Sequence, residues 1–186
     1  MGTRNIKEDF KARYLYPASS SRWSKAEREV IGRFAKTFKP EWTPPKEQFS
    51  PWYYFVISPT KDGRYYHYDK PVVILMDRGN FSACDIFLGG FKGGKNVTLM
   101  GQPSGGGSGC RQEYPLSNSG IRIHLSRMAS FQPSGQLYDG NGIQPDIIVE
   151  PAAKDFIGRT DTVLGRAIEL ISSKKIILCT YGRGKL

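Results

Sequence analysis

The apolar positions of this chain change period several times, and each change marks an element. Ala26, Val30, Ile31, Phe34, Ala35 and Phe38 recur at helical spacing and stop at Pro40. Ser24 stands before that stripe with Glu27 three residues on, a capping-box pattern, so a helix is expected there. Val72 to Met76 is an unbroken run of strand formers, and Asp77 to Phe81 supplies turn chemistry. A second helix then opens near Ser82, with Ile86, Phe87 and Phe91 expected inward. Asn96 to Met100 reads as another buried strand. Strand, helix and strand in that order predict a parallel pair with the helix on one face.

Beyond residue 110 the pattern alternates. Arg111 to Leu116 and Gly120 to Leu125 predict a hairpin through Ser117–Gly120, and Met128 to Phe131 predicts a further strand ending at Pro133. Asp139-Gly140-Asn141-Gly142 is a turn that leads into Ile143 to Val149. A last helix is expected over about Asp161 to Ser172, burying Val163, Leu164, Ala167, Ile168 and Ile171. Trp52 to Ile57 reads as a short strand or a packed aromatic segment. Residues 1–22 carry no clear period and predict an arm, and Pro40, Pro44, Pro45 and Pro51 mark an irregular linker. The class is α/β, organised as a basic arm, helix and linker over 1–64, a core over 65–172 and a tail over 173–186.

Composition narrows the function classes. The chain has 186 residues, enough for one core, with 27 Lys/Arg against 17 Asp/Glu and a net charge of +10. Such a surplus raises nucleic acid as a partner, but it is spread along the chain, six of it before residue 71 and four after. No zinc-finger spacing or aromatic RNA-binding signature accompanies it, which argues against nucleic acid. Cys84, Cys110 and Cys179 are widely spaced and form no C-x-x-C pair, and His67 and His124 are too few for a histidine-built centre. Neither a metal nor another cofactor is expected. No apolar run approaches a membrane span, and Met1 to Lys7 shows no signal-peptide region.

Ser82 is where chemistry can sit. At the first turn of a helix its hydroxyl would be surrounded by unpaired N–H groups and the positive end of the helix dipole, which favour a developing oxyanion. The same position suits a plain N-cap, and local pattern leaves both roles open. Gly101-Gln102-Pro103-Ser104-Gly105-Gly106-Gly107-Ser108-Gly109 has glycine at five of nine positions. It lacks the ending of a phosphate-cradling loop, so it reads either as a surface lying against an extended substrate backbone or as a connection.

Three ordered blocks then carry a resemblance: the strand, turn and helix through Ser82-Ala83-Cys84-Asp85-Ile86-Phe87; the glycine loop from Gly101 to Gly107; and Phe131 to Gly135 continuing through Asp139 to Asp146. Together they resemble the catalytic domain of the tail-specific serine peptidases, which include the C-terminal-processing proteases and the tricorn protease core. The resemblance covers roughly residues 65 to 172. It implies a crotonase/Clp-protease-like fold of stacked β-β-α units with a parallel-stranded core. It also implies that Ser82 is the acyl-forming nucleophile, followed three residues later by Asp85, and that the Ala83 N–H contributes to the oxyanion hole. Asp139 matches the supporting acidic residue of the tricorn branch, while its local pattern fits a turn former.

A serine nucleophile needs a base. The lysine that the processing proteases place 25 residues after the serine falls here on Gly107, and Lys92 and Lys95 lie at the far end of the helix. The tricorn branch uses an upstream histidine. His67 is the one upstream histidine, in an aromatic run that suits a packed role, and His124 lies on a hairpin strand. The expectation is a C-terminal part of a catalytic domain whose base lies in a preceding segment, acting on protein or peptide substrates. The alternative is an inactive peptide- or ligand-binding relative. Oligomeric state and location are left open, export being expected if a signal peptide precedes this sequence.

Overall fold

The computed structural model describes residues 15–57 and 68–181, with side chains through residue 173. The chain forms two compact units, each assembled from two stretches: residues 1–64 with 106–142, and residues 65–105 with 143–186.

In the first unit, β1 (Tyr16–Pro17) pairs antiparallel with β2 (Tyr53–Tyr54). Between them runs α1 (Lys25–Thr37), capped as its sequence predicts: Ser24 Oγ accepts from the Glu27 N–H at 3.3 Å, and Glu27 Oε2 accepts from the Ser24 N–H at 2.9 Å. Ile31 is buried, whereas Val30 is exposed. An aromatic cluster forms the core beside this helix. Phe38 meets Trp52 at 5.6 Å and Phe131 at 6.2 Å between ring centroids, and Trp52 meets Phe131 at 5.5 Å. Such edge-on pairs stabilise beyond their buried area by about 1 kcal/mol each. The proline-rich stretch is tied down by Glu41, whose carboxylate accepts from the Leu137 N–H at 2.7 Å and from Asn141 Nδ2 at 3.0 Å.

The expected hairpin is present as β5 (Arg111–Pro115) and β6 (Arg122–Ser126), once β3 (Val72–Met76) and β4 (Val97–Gly101) of the other unit are numbered before it. The strand expected at Met128–Phe131 is absent. The N–H groups of Arg127 and Met128 both turn to the Gly109 carbonyl, at 2.9 and 3.0 Å, which ends the ladder. Only an isolated bridge, Phe131 to Leu137, follows before the turn at Gly135.

In the second unit β3 and β4 pair in parallel from Val72 with Val97 to Met76 with Gly101, and β4 pairs in parallel with β7 (Ile147–Ile148). The sheet order is β3-β4-β7, and the crossover between β3 and β4 is α2 (Ala83–Phe91). Leu99 and Met100 are fully buried, with Met76, Leu88 and Ile143 closing the core around them. At Gly101 a side chain has no room: φ is +132°, and a Cβ would collide with the Met76 carbonyl on the neighbouring strand.

Both helices of this unit are rotated from their expected faces. In α2 the buried residues are Asp85, Leu88 and Gly89, whereas Phe87 and Phe91 stack on each other at 4.8 Å on the exposed side. The reason is Asp85, which faces inward to its hydrogen-bond partners and carries the helix round with it. The last helix, α3 (Thr162–Tyr181), runs beyond the predicted end at Ser172. It buries Ala167 and half-buries Val163 and Ile171, leaving Leu164 and Ile168 exposed.

Asp146 fastens the start of β7. Its Oδ1 takes the Lys92 ammonium at 2.5 Å and its Oδ2 accepts from the Leu99 N–H at 2.8 Å. Burial pushes its carboxyl pKa up, but the Lys92 and Leu99 bonds and the Lys92 charge outweigh this and hold it below the usual aspartate value. A depressed carboxyl contributes stability above the unfolded-state pKa and loses it as pH falls through the native value. Asp146→Asn is therefore expected to lower stability at pH 7 by about 1 kcal/mol, the pair being partly exposed. In urea titrations the gap to wild type should close as pH drops below about 4.

Candidate active site

The turn after β3 is built by its own side chains. Asn80 Oδ1 accepts from the Asp77 N–H and Asp77 Oδ1 from the Gly79 N–H, both at 2.8 Å, while the Asn80 N–H donates to the Asp77 carbonyl at 3.1 Å. The chain then enters α2 through Ser82, which is exposed and has φ +59° and ψ −107°. This conformation is costly for any residue with a Cβ, of order 1–3 kcal/mol, and persists only where the surroundings impose it.

Asp85 imposes it. Its side chain is 0% exposed; Oδ2 accepts from the Ser82 N–H at 2.8 Å and Oδ1 from the Ser104 hydroxyl at 2.5 Å. The Ser104 oxygen in turn accepts from the Ile143 N–H at 2.7 Å, and the Ser104 N–H donates to the Ile143 carbonyl at 3.1 Å. Gly105 follows with its N–H on the Asn80 carbonyl at 2.7 Å. A Cβ there would lie 2.9 Å from the Arg78 carbonyl and 3.1 Å from the Phe81 ring. Part of the glycine loop thus serves as close packing against the turn that holds Ser82.

The two helix starts make an internal comparison. At α1 the serine and the acid three residues later exchange both capping bonds on the surface, with Ser24 at φ −63°. At α2 the acid still takes the serine N–H, but the Ser82 side chain makes no capping bond and the residue is exposed. Ser82 occupies a cap position without doing a cap's work. The Ala83 N–H beside it donates to no group among the described residues. It points from the positive end of the helix dipole, as an oxyanion donor requires.

The other sequence candidates fall as follows. Asp139 belongs to the first unit, half-buried, with Oδ1 accepting from the Ser108 N–H at 2.9 Å and the Gly109 N–H at 3.2 Å. Gly107 is buried and Lys92 is committed to Asp146. His124 lies on the exposed hairpin, Nε2 3.6 Å from Glu113 Oε2. His67 lies outside the described residues. Among the described residues no cluster of His, Cys, Asp and Glu could hold a metal, and no helix is long and apolar enough to cross a membrane. The residue that sequence reading missed is Ser104, which looked like one more position of a flexible loop. A fully buried Asp85 would have demanded such a partner.

The model of peptidase family S41 matches residues 19–149, reaching upstream of residue 65 to take in α1 and the proline-rich stretch. A carboxy-terminal-processing protease of Bartonella bacilliformis is 30% identical over 99 residues, 53% of this chain and 23% of that protein. A candidate peptidase of Parabacteroides merdae superposes with a TM-score of 0.55 at 30% identity, over 67% of this chain and 37% of its own. Mature CPAF complexed with lactacystin, at 20% identity, shares the fold with a TM-score of 0.50 over 82% of this chain and 27% of its own. This chain therefore spans about a quarter of the curated relative's length.

The strain at Ser82 has a thermodynamic signature. Ser82→Ala keeps the Cβ and its penalty, whereas Ser82→Gly removes it at a smaller cost in unfolded-chain entropy. Ser82→Gly is expected to be about 1 kcal/mol more stable than Ser82→Ala in urea unfolding.

Proposed function

We propose that this chain, which belongs to peptidase family S41, carries the nucleophile and oxyanion donor of a serine peptidase acting on protein or peptide substrates. The observation that carries this reading is Ser82 itself: exposed, held at φ +59°, its hydroxyl released from the cap and its N–H bound to a buried carboxylate. Strained, over-determined backbone at an accessible hydroxyl is costly to keep for structure alone.

In the proposed reaction Ser82 Oγ adds to the carbonyl carbon of the scissile peptide as its proton passes to a base. The carbonyl oxygen becomes an oxyanion facing the Ala83 N–H at the start of α2, where the helix dipole and a fixed donor offset the new charge. The C–N bond breaks, the amine leaves with a proton, and water hydrolyses the Ser82 ester. The base is proposed to come from outside the described residues, because Gly107 has no side chain and Lys92 is paired with Asp146. Asp139 is proposed to set the glycine loop through the Ser108 and Gly109 N–H groups, and to act as the supporting acid implied by the tricorn resemblance. The parallel β3-β4-β7 sheet with its α2 crossover is consistent with the proposed crotonase/Clp-like arrangement of stacked β-β-α units.

A fluorophosphonate probe tests the assignment. Covalent labelling of wild type, mapped to Ser82 by peptide mass and lost in Ser82→Ala, is the expected outcome. A well-folded full-length protein that leaves the probe unreacted would sink the reading and favour a binding relative without chemistry.

A further inference from the structure

We propose that Ser104 is a positioning residue: with Asp85 it forms a buried clamp that holds the Ser82 backbone in the conformation that exposes its hydroxyl. The clamp rests on the proposed role of Ser82 as nucleophile for its purpose, but not for its existence.

Geometry distinguishes this clamp from ordinary capping. An acid at the third helical position bonding the cap's N–H is common, and α1 shows the ordinary version with Ser24 and Glu27 exposed and reciprocal. At α2 the acid is an aspartate with no solvent exposure, and its second oxygen is taken by Ser104 at 2.5 Å. Burying a carboxylate is expensive unless its lone pairs are filled, so a surface cap would not require burial. As an acceptor only, the carboxylate suits two donors on opposite oxygens: the Ser82 N–H on Oδ2 and the Ser104 O–H on Oδ1.

Ser104 is itself fixed in direction. Its oxygen already accepts from the Ile143 N–H at 2.7 Å, so its own proton is turned toward Asp85. The bonds therefore run in one sense, from the Ile143 N–H to Ser104, and from the Ser104 O–H to Asp85. Loss of the Ser104 hydroxyl removes one carboxylate partner and leaves the Ile143 N–H without its acceptor. In the proposed scheme the carboxylate, without its Oδ1 donor, turns so that Oδ2 draws away from the Ser82 N–H. Ser82 then relaxes toward an ordinary helix-start conformation, in which its hydroxyl caps α2 instead of facing substrate. Ser104 never touches the reacting atoms in this scheme; it acts through Asp85.

Two readouts test the clamp, amide exchange on the 186-residue chain and fluorophosphonate labelling on the full-length protein. In amide hydrogen exchange, Ser104→Ala is expected to speed exchange at the Ser82 N–H about tenfold or more, the loss of a bond to a charged group, while the Leu99 N–H in the sheet stays protected. Ser104→Thr, which keeps the hydroxyl, should restore protection to within about twofold of wild type. Unchanged Ser82 protection in Ser104→Ala overturns the clamp, and so does equal loss at Leu99, which marks general loosening. In fluorophosphonate labelling, the maximal rate should fall about tenfold in Ser104→Ala with the half-saturating probe concentration unchanged, and Thr should rescue it. An unchanged maximal rate also overturns the proposal. If the full-length wild type does not react at all, the nucleophile reading fails and exchange alone decides the clamp. If Ser104→Ala does not fold, the isosteric pair Ser104→Thr and Ser104→Val isolates the hydroxyl in both assays.

Discussion

A carboxylate sealed from water beneath an exposed serine is the constraint on which the second unit is organised. Asp85 is reached by donors from two places in the chain, the turn at Ser82 and the loop at Ser104, and through Ser104 by the backbone of Ile143. None of these segments could settle independently, because an under-bonded buried charge costs several kcal/mol and a satisfied one costs little. The inward-facing aspartate also sets the rotation of α2. Phe87 and Phe91 are thereby left on the outside, where hydrophobicity alone would not have put them.

Close approach of backbone to backbone is the second half of the design. Gly101 lies under the Met76 carbonyl and Gly105 under those of Arg78 and Asn80, so the loop after β4 lies directly on the turn after β3. Any side chain at either point would push the loop outward and withdraw Ser104 from Asp85. The glycines therefore act by removing atoms that would spoil a hydrogen-bond geometry a few ångströms away, which is a different use from flexibility.

Much of this was legible in the residue pattern. The capped helix at Ser24, the strand–helix–strand crossover and the hairpin are each specified locally, by capping residues, apolar runs and turn chemistry, and they stand within a residue or two of expectation. The faces of α2 and α3 were not legible, because apolar periodicity chose Phe87, Leu164 and Ile168. Burial is decided by what the neighbours leave room for, and a single buried acid outweighed two phenylalanines. The supposed strand at Met128 failed for a similar reason: its N–H groups found Gly109, a partner distant in sequence. Ser82 stood out as a candidate because three motif blocks agree, whereas the Ser104 hydrogen bond to Asp85 joins positions 19 residues apart and only tertiary structure reveals it.

The pairing of Ser104 with Ile143 has a consequence for the order in which the protein comes into being. The chain leaves the second unit after Gly105 and re-enters it at Ile143, so the whole excursion of residues 106–142 must be completed before Ile143 can close on Ser104. On a growing polypeptide the β3–α2–β4 crossover can form early, from contacts close in sequence. The last donor to the Asp85 network arrives much later. The Ser104–Ile143 pair therefore closes only after the excursion of residues 106–142 is complete. The order in which these hydrogen bonds close is in this sense set by chain connectivity.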